Sequence, residues 1–150
     1  MKRVVVTGIG TISPLGNSRE EVVNGMKNSE CGIGEITLYD TSDRLVKLAA
    51  EAKDYDPDKY FDKRDQRRLD RVDQFGIIAA RRALEDAGLD REYLSKERVG
   101  VYCASGIGGI QTIENEHTRG MNRSFDRVSP YFIPMAIVNL TAGNIAIDIE

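Results

Sequence analysis

Two apolar runs rich in β-branched residues each end in glycines and lead toward a helical pattern, and this repeated order constrains the fold more than any other feature. The first, Arg3 to Thr7, contains three consecutive valines and ends in Gly8-Ile9-Gly10. The second, Arg98 to Ala104, enters Ser105-Gly106-Ile107-Gly108-Gly109. Three valines without alternation read as a strand buried on both faces. Strands that alternate with helices imply an α/β layered fold with a largely parallel sheet.

The helical segments carry their own punctuation. Ser18 and Glu21 form a capping box ahead of a short helix whose apolar stripe is Val22, Val23 and Met26. From Asp65, Leu69, Val72, Phe75, Ile78, Ala79, Ala83 and Ala87 recur at three- and four-residue spacing, with a break expected near Asp70 to Asp73. Gly88 closes that helix in a left-handed conformation, and Leu89 folds back onto its last turn. After the second glycine loop, Ile110, Ile113 and His117 mark one helix face, and Met121 to Val128 reads as polar loop. Pro134 suits the first turn of another helix, with Met135, Val138, Ala142 and Ile145 as its buried stripe. Val46 to Ala52 fits either strand or helix, and strand is favoured.

Composition excludes several function classes. The chain has 150 residues, enough for one domain, with hydrophobic and charged fractions of 41% and 30%. The most apolar region, Tyr131 to Ile149, is interrupted by Pro134, Asn139, Thr141, Asn144 and Asp148, so no membrane span is expected. Lys2 and Arg3 precede only three valines, far short of a secretory signal, which makes the cytoplasm the default location. Cys31 and Cys103 are then expected to be free, reduced thiols. His117 is the single histidine, without the companions a metal site needs, and neither metal nor cofactor is expected. A net charge of -3 argues against nucleic-acid binding.

Val-Val-Val-Thr-Gly-Ile-Gly opens like a dinucleotide-binding unit, but the third glycine position is Ser13, followed by Pro14. The helix begins only near Ser18, so backbone N–H groups cannot converge on a pyrophosphate, and a tight turn is the better reading. The second glycine loop has no Lys-Ser/Thr and is no phosphate loop; its glycines admit close approach by another backbone or by a ligand. The basic run Lys63-Arg64-Asp65-Gln66-Arg67-Arg68-Leu69-Asp70-Arg71 stands out in an acidic chain. Arg64, Arg67, Arg68 and Arg71 would lie close together on a helix, either to meet an acidic partner or as a solvated face.

Six segments, in order and at matching spacing, resemble the β-ketoacyl-acyl-carrier-protein synthases of fatty-acid synthesis. They are Arg-Val-Val-Val-Thr-Gly-Ile-Gly at 3–10, Ser-Pro-Leu-Gly-Asn at 13–17, Ser-Gly-Ile-Gly-Gly at 105–109, Glu-Asn-Glu-His at 114–117, Ser-Pro-Tyr-Phe-Ile-Pro at 129–134 and Val-Asn-Leu-Thr-Ala-Gly at 138–143. The resemblance implies a thiolase-like fold, with residues 1–150 as an incomplete N-terminal half that has a mixed, mostly parallel sheet and flanking helices. It implies decarboxylative Claisen condensation of an acyl-enzyme with malonyl-acyl-carrier protein, which needs a nucleophilic thiol, oxyanion donors and two histidines. None of those matched positions falls within 1–150, so no catalytic residue is expected here. Cys103-Ala104-Ser105-Gly106 imitates the family's nucleophile turn, but the following Ile-Gly-Gly places it at the earlier glycine loop, and a buried strand-end thiol is expected.

The same resemblance assigns Ile107 as a gating residue and Phe132 and Ile133 as lining of an acyl pocket shared across a dimer interface. It assigns Arg64, Arg67, Arg68 and Arg127 to docking of acyl carrier protein; Asp126 departs from the basic residue the family has there. Acyl and malonyl thioesters are the implied substrates, and a homodimer the implied assembly. Met1 immediately before the first strand argues for a stand-alone synthase. A non-catalytic ketosynthase-like partner of a polyketide system, the chain-length factor, is the alternative. The 150-residue chain alone is expected to be inactive, and to be poorly stable or to associate because apolar surface stays uncovered.

Overall fold

Helix α2 (Arg71–Ala87) forms because its sequence supplies both ends as well as the stripe. Asp70, in extended conformation, accepts a hydrogen bond from the Val72 N–H at 3.1 Å, and Asp73 reaches back to the Asp70 N–H at 3.2 Å. These bonds satisfy donors that the first turn leaves open. At the other end Gly88 takes φ 65°, and the Leu89 N–H donates to the Leu84 carbonyl at 3.0 Å. The expected break is present: Asp65–Arg67 is a separate 3-10 turn.

The computed structural model describes residues 3–96 and 98–149. The remaining elements are α1 (Arg19–Lys27), β1 (Gly34–Glu35), β2 (Leu48–Ala49), a 3-10 turn at Pro57–Lys59, α3 (Arg91–Lys96), α4 (Ile110–Asn122), a 3-10 turn at Phe125–Arg127, α5 (Phe132–Ala136) and α6 (Leu140–Ile149). β1 and β2 pair antiparallel, with Gly34 opposite Ala49 and Glu35 opposite Leu48. The capping box of α1 is formed, the Glu21 N–H donating to the Ser18 hydroxyl at 3.2 Å and the Ser18 N–H to Glu21 at 3.1 Å. Its stripe is not buried; Gly25 is the buried residue of α1.

The core lies between α2 and α6, where Phe61, Ile77, Ile78 and Ile145 are buried. Gly76 permits the close crossing, since a Cβ there would lie 2.7 Å from the Thr141 methyl. Two polar ties reinforce it. The Thr141 hydroxyl donates to Asp73 at 2.5 Å, and Arg81 on α2 pairs with Asp148 on α6 through Nε at 2.8 Å. Burial holds the Asp73 carboxyl above its ordinary range despite donors from Thr141, the Asp70 N–H and Asn144.

The two expected buried strands are a correction. Residues 3–7 and 98–104 are extended but carry no ladder, and no parallel sheet is formed among the described residues. Val4 is 94% exposed, Val6 82% and Tyr102 98%. Cys103, expected as a buried thiol, is exposed, as is Cys31, and both are free. A strand cannot satisfy its own N–H and C=O groups or bury both faces without neighbours.

Gly8-Ile9-Gly10 is a packing device rather than a tight turn. A Cβ on Gly8 would fall 2.1 Å from the Ala83 carbonyl, and one on Gly10 1.9 Å from the Ala79 carbonyl. The extended N-terminal segment therefore lies directly on the alanine face of α2. The Ile9 N–H donates to Asp86 at 2.9 Å and Arg82 donates to the Thr11 carbonyl at 2.8 Å, fixing its position.

Candidate functional site

The basic run folds through its acidic neighbours. Asp62 accepts hydrogen bonds from the Arg64 and Asp65 N–H groups, each at 2.8 Å, and these start the 3-10 turn Asp65–Arg67. The bonds hold the Asp62 carboxyl below its ordinary range. Gln66 donates to the Phe61 carbonyl at 2.9 Å and to Asp58 at 2.7 Å, and Lys63 pairs with Asp58. The segment is thus a closed knot with its arginines on the outside. The four arginines do not share the helix expected from the sequence, because Arg64, Arg67 and Arg68 lie on or beside a 3-10 turn and Asp70, in extended conformation, separates it from α2.

Arg64, Arg67 and Arg68 line one groove of about 660 Å³. The Arg67 Nε donates to the Lys63 carbonyl at 2.8 Å, and the Arg68 guanidinium stands 4.9 Å from the centre of the Tyr131 ring. The opposite wall comes from α4 and the segment after it, through Arg119, Glu116, Ser129 and Tyr131. Glu116 is buried; it accepts from the Ser129 N–H at 2.7 Å and pairs with Arg119 at 2.7 Å.

Two of the expected basic residues lie elsewhere. Arg71 begins α2 and stacks over Phe75 and Tyr55, at 4.9 and 5.3 Å from the ring centres. Arg127 is exposed on the turn Phe125–Arg127 and does not line the groove.

Arg119 and Tyr131 were not singled out from the sequence, which marked α4 only by its apolar face. Ile110, Ile113 and His117 are exposed, whereas Thr112, Glu116 and Gly120 are buried. The signal that outweighed hydrophobicity is polar satisfaction. The Thr112 N–H and hydroxyl donate to Asp70 at 3.0 and 2.5 Å, and Phe125 fills the space above Gly120. The four-residue spacing of Thr112, Glu116 and Gly120 was available as a clue.

The glycine loop meets α5 backbone to backbone. The Gly109 N–H donates to the Ala136 carbonyl at 3.2 Å; a Cβ on Gly109 would lie 2.1 Å from the Met135 carbonyl, and one on Gly108, at φ +81°, 2.7 Å from the Ala136 carbonyl. Of the two readings of this loop, close approach by another backbone is realised. That bond also accounts for a second correction. The single helix expected around Pro134 is two helices, since the Ala136 carbonyl serves Gly109 and Leu140 turns to the Ile137 carbonyl at 3.2 Å. Ile107 precedes Gly108 and is 63% exposed; Phe132 is half-buried and Ile133 exposed at the start of α5. The loop carrying the expected gate is therefore tied to the helix carrying the other two expected pocket residues.

Among the described residues no group of three metal-ligating side chains is assembled, and His117 is exposed. No described helix is long and apolar enough to cross a membrane.

Comparison with known proteins adds the following. The family model described as Beta-ketoacyl synthase, N-terminal domain, matches residues 1–150. A 3-oxoacyl-(acyl-carrier-protein) synthase 2 of Staphylococcus aureus (strain COL) is 41% identical over 148 residues, covering 99% of this chain and 36% of its own length. A solved structure described as the ishigamide ketosynthase/chain length factor superposes with TM-score 0.81 at 24% identity, covering 97% of this chain and 36% of that one. Another, a type II PKS acyl-carrier protein in complex with its ketosynthase bound to the hexaketide, gives TM-score 0.78 at 27% identity, covering 98% and 38%. The chain thus spans about a third of the length of the proteins it matches, and its fold is that of the ketosynthases.

Proposed function

The chain belongs to the β-ketoacyl synthase family, matched through its N-terminal domain, and from that premise we propose that it is part of a condensing enzyme of type II fatty-acid synthesis. In the reaction an acyl group on an enzyme thiol is attacked by C2 of malonyl-acyl-carrier protein as carbon dioxide leaves. One C–C bond forms, the thioester C–S bond breaks, and the thiolate departs. The nucleophile, oxyanion donors and two histidines that this chemistry requires have no matched position in 1–150. Residues 1–150 are then the leading part of the N-terminal domain, ahead of the nucleophile turn. They contribute recognition: Arg64, Arg67 and Arg68 dock the acyl carrier protein, Arg127 adds a further positive charge from outside the groove, and Ile107, Phe132 and Ile133 line the acyl pocket.

The observation that carries this reading is that Arg64, Arg67 and Arg68 share one groove over Tyr131. Fixed guanidinium groups suit carboxylates on an acidic partner. Elongation is preferred to the chain-length-factor role because the 41% identical relative is named a synthase. The extended segments 3–7 and 98–104 are strands of a mixed, mostly parallel sheet in the intact protein, a cytoplasmic homodimer. The test is the affinity of acyl carrier protein for the intact protein. Charge reversal of Arg67 and Arg68 together should weaken it about tenfold or more and flatten its salt dependence. Unchanged affinity and salt dependence would sink the docking reading. Residues 1–150 alone should form no C–C bond in a condensation assay.

A further inference from the structure

We infer that the carrier-protein surface crosses the groove onto α4, and that Arg119 is a further docking residue whose position selects the acidic helix that fits. The inference rests on the docking reading above and extends it to a residue outside the basic run. Four arginines and one glutamate line the groove, a local charge of +3 in a chain whose net charge is -3; Arg64, Arg67 and Arg68 carry it, since Arg119 and Glu116 pair on α4.

The groove is built before any partner arrives. Its arginine wall is joined to α4 by the Thr112 N–H, which donates to Asp70 at 3.0 Å, and α4 is joined to the Tyr131 segment by the Ser129 N–H, which donates to Glu116 at 2.7 Å. The guanidinium groups are held from behind. Arg67 is fixed through Nε on the Lys63 carbonyl, Arg68 through the face of Tyr131, and Arg119 through one Nη on Glu116 at 2.7 Å. A guanidinium has five N–H donors, so each of these keeps donors for a carboxylate after its orientation is set. Holding long side chains in place beforehand removes part of the entropy cost of binding. The basic run puts net positive charge on one wall, and the Arg119 donors that Glu116 leaves unused give the neutral α4 wall a second contact, which suits an acidic partner with carboxylates on more than one side.

The test measures the affinity of acyl carrier protein for the intact protein at low and high salt, with four variants beside the wild type. Arg67→Gln reports on the docking reading. Arg119→Gln should weaken binding about threefold to fivefold at low salt and reduce its salt dependence, while Arg119→Lys, which keeps the charge, should stay within about twofold. Because removing Arg119 leaves Glu116 buried beside an empty position, the fourth variant is Glu116→Gln combined with Arg119→Gln. It conserves the groove's net charge and keeps an acceptor for the Ser129 N–H. Weakened binding in this double variant indicates direct contact by Arg119 rather than the general field. If Arg67→Gln weakens binding while both the Arg119→Gln and double variants bind as wild type, the inference falls and the docking reading stands. If Arg67→Gln also has no effect, both fall.

Discussion

Helix α2 and the extended segment 3–10 lie against one another, yet one is specified from within and the other is not. The helix closes its backbone hydrogen bonds internally, carries Asp70 and Gly88 at its ends, and buries Ile77 and Ile78. The segment has three valines in the open and touches α2 through two glycines and the Ile9 N–H on Asp86, with Arg82 holding the Thr11 carbonyl just past its end. A helix needs one apolar face covered, whereas a strand needs backbone partners on its edges as well. Similar apolar content therefore leads to different burial.

The largest effect should come from the helix side. Ile78→Ala empties a site that is 1% exposed and should cost about 2–5 kcal/mol in urea unfolding, whereas Val6→Thr, at an 82% exposed site, should stay within about 0.5 kcal/mol. Equal costs for the two would break the comparison. Val6→Thr should instead reduce self-association, read by sedimentation at rising concentration.

Thr141→Val comes next, at about 1–3 kcal/mol near neutral pH. Its pH dependence has a definite sign. Asp73 is raised by burial above 3.8, so the folded chain binds its proton more tightly than the unfolded chain, and the buried charge costs stability once pH exceeds both values. Thr141 favours the charged form, so the loss caused by its removal should shrink as pH falls toward 3.8. A pH-independent loss would mean that the hydroxyl serves packing alone.

Gly10→Ala should cost about 1 kcal/mol, the helix standing while the segment lifts away from the Ala79 carbonyl. Faster hydrogen exchange at Ile9 with unchanged exchange in α2 is the expected signature. Gly106→Ala, with nothing within 4 Å of the added carbon, is the matched control.

The smallest effect belongs to Asp86, whose carboxyl is held below 3.8 mainly by the Ile9 N–H, with help from Arg19. A lowered folded pKa contributes stability above the unfolded value and loses it as pH falls through the folded one. Exchange protection of Ile9 should fade below 3.8 in the wild type and be absent throughout in Asp86→Ala, which removes the acceptor.

How much was legible follows the same division. The capping box at Ser18, the break near Asp70 and the close at Gly88 are local hydrogen-bond patterns, and the structure forms all three. The buried face of α4 was not legible because Glu116 is charged; its burial depends on the Ser129 N–H from beyond the helix together with Arg119 one turn away. The groove arginines Arg64, Arg67 and Arg68 stand out by their density in the sequence, but Arg71 shares that signal and lies outside the groove, as does Arg127, which the family resemblance alone had singled out.

The sequence by itself determined where α1 starts, where α2 starts and stops, which residues can approach a backbone without clashing, and to which family the chain belongs. Tertiary structure decided which arginines share a groove, which face of α4 is buried, and that Ala136 would serve Gly109 instead of continuing a helix. The reason is range. Caps and periodicity act over one or two turns, while Asp70 to Thr112 and Asp73 to Thr141 are bonds between residues 42 and 68 positions apart, formed only after the chain has folded.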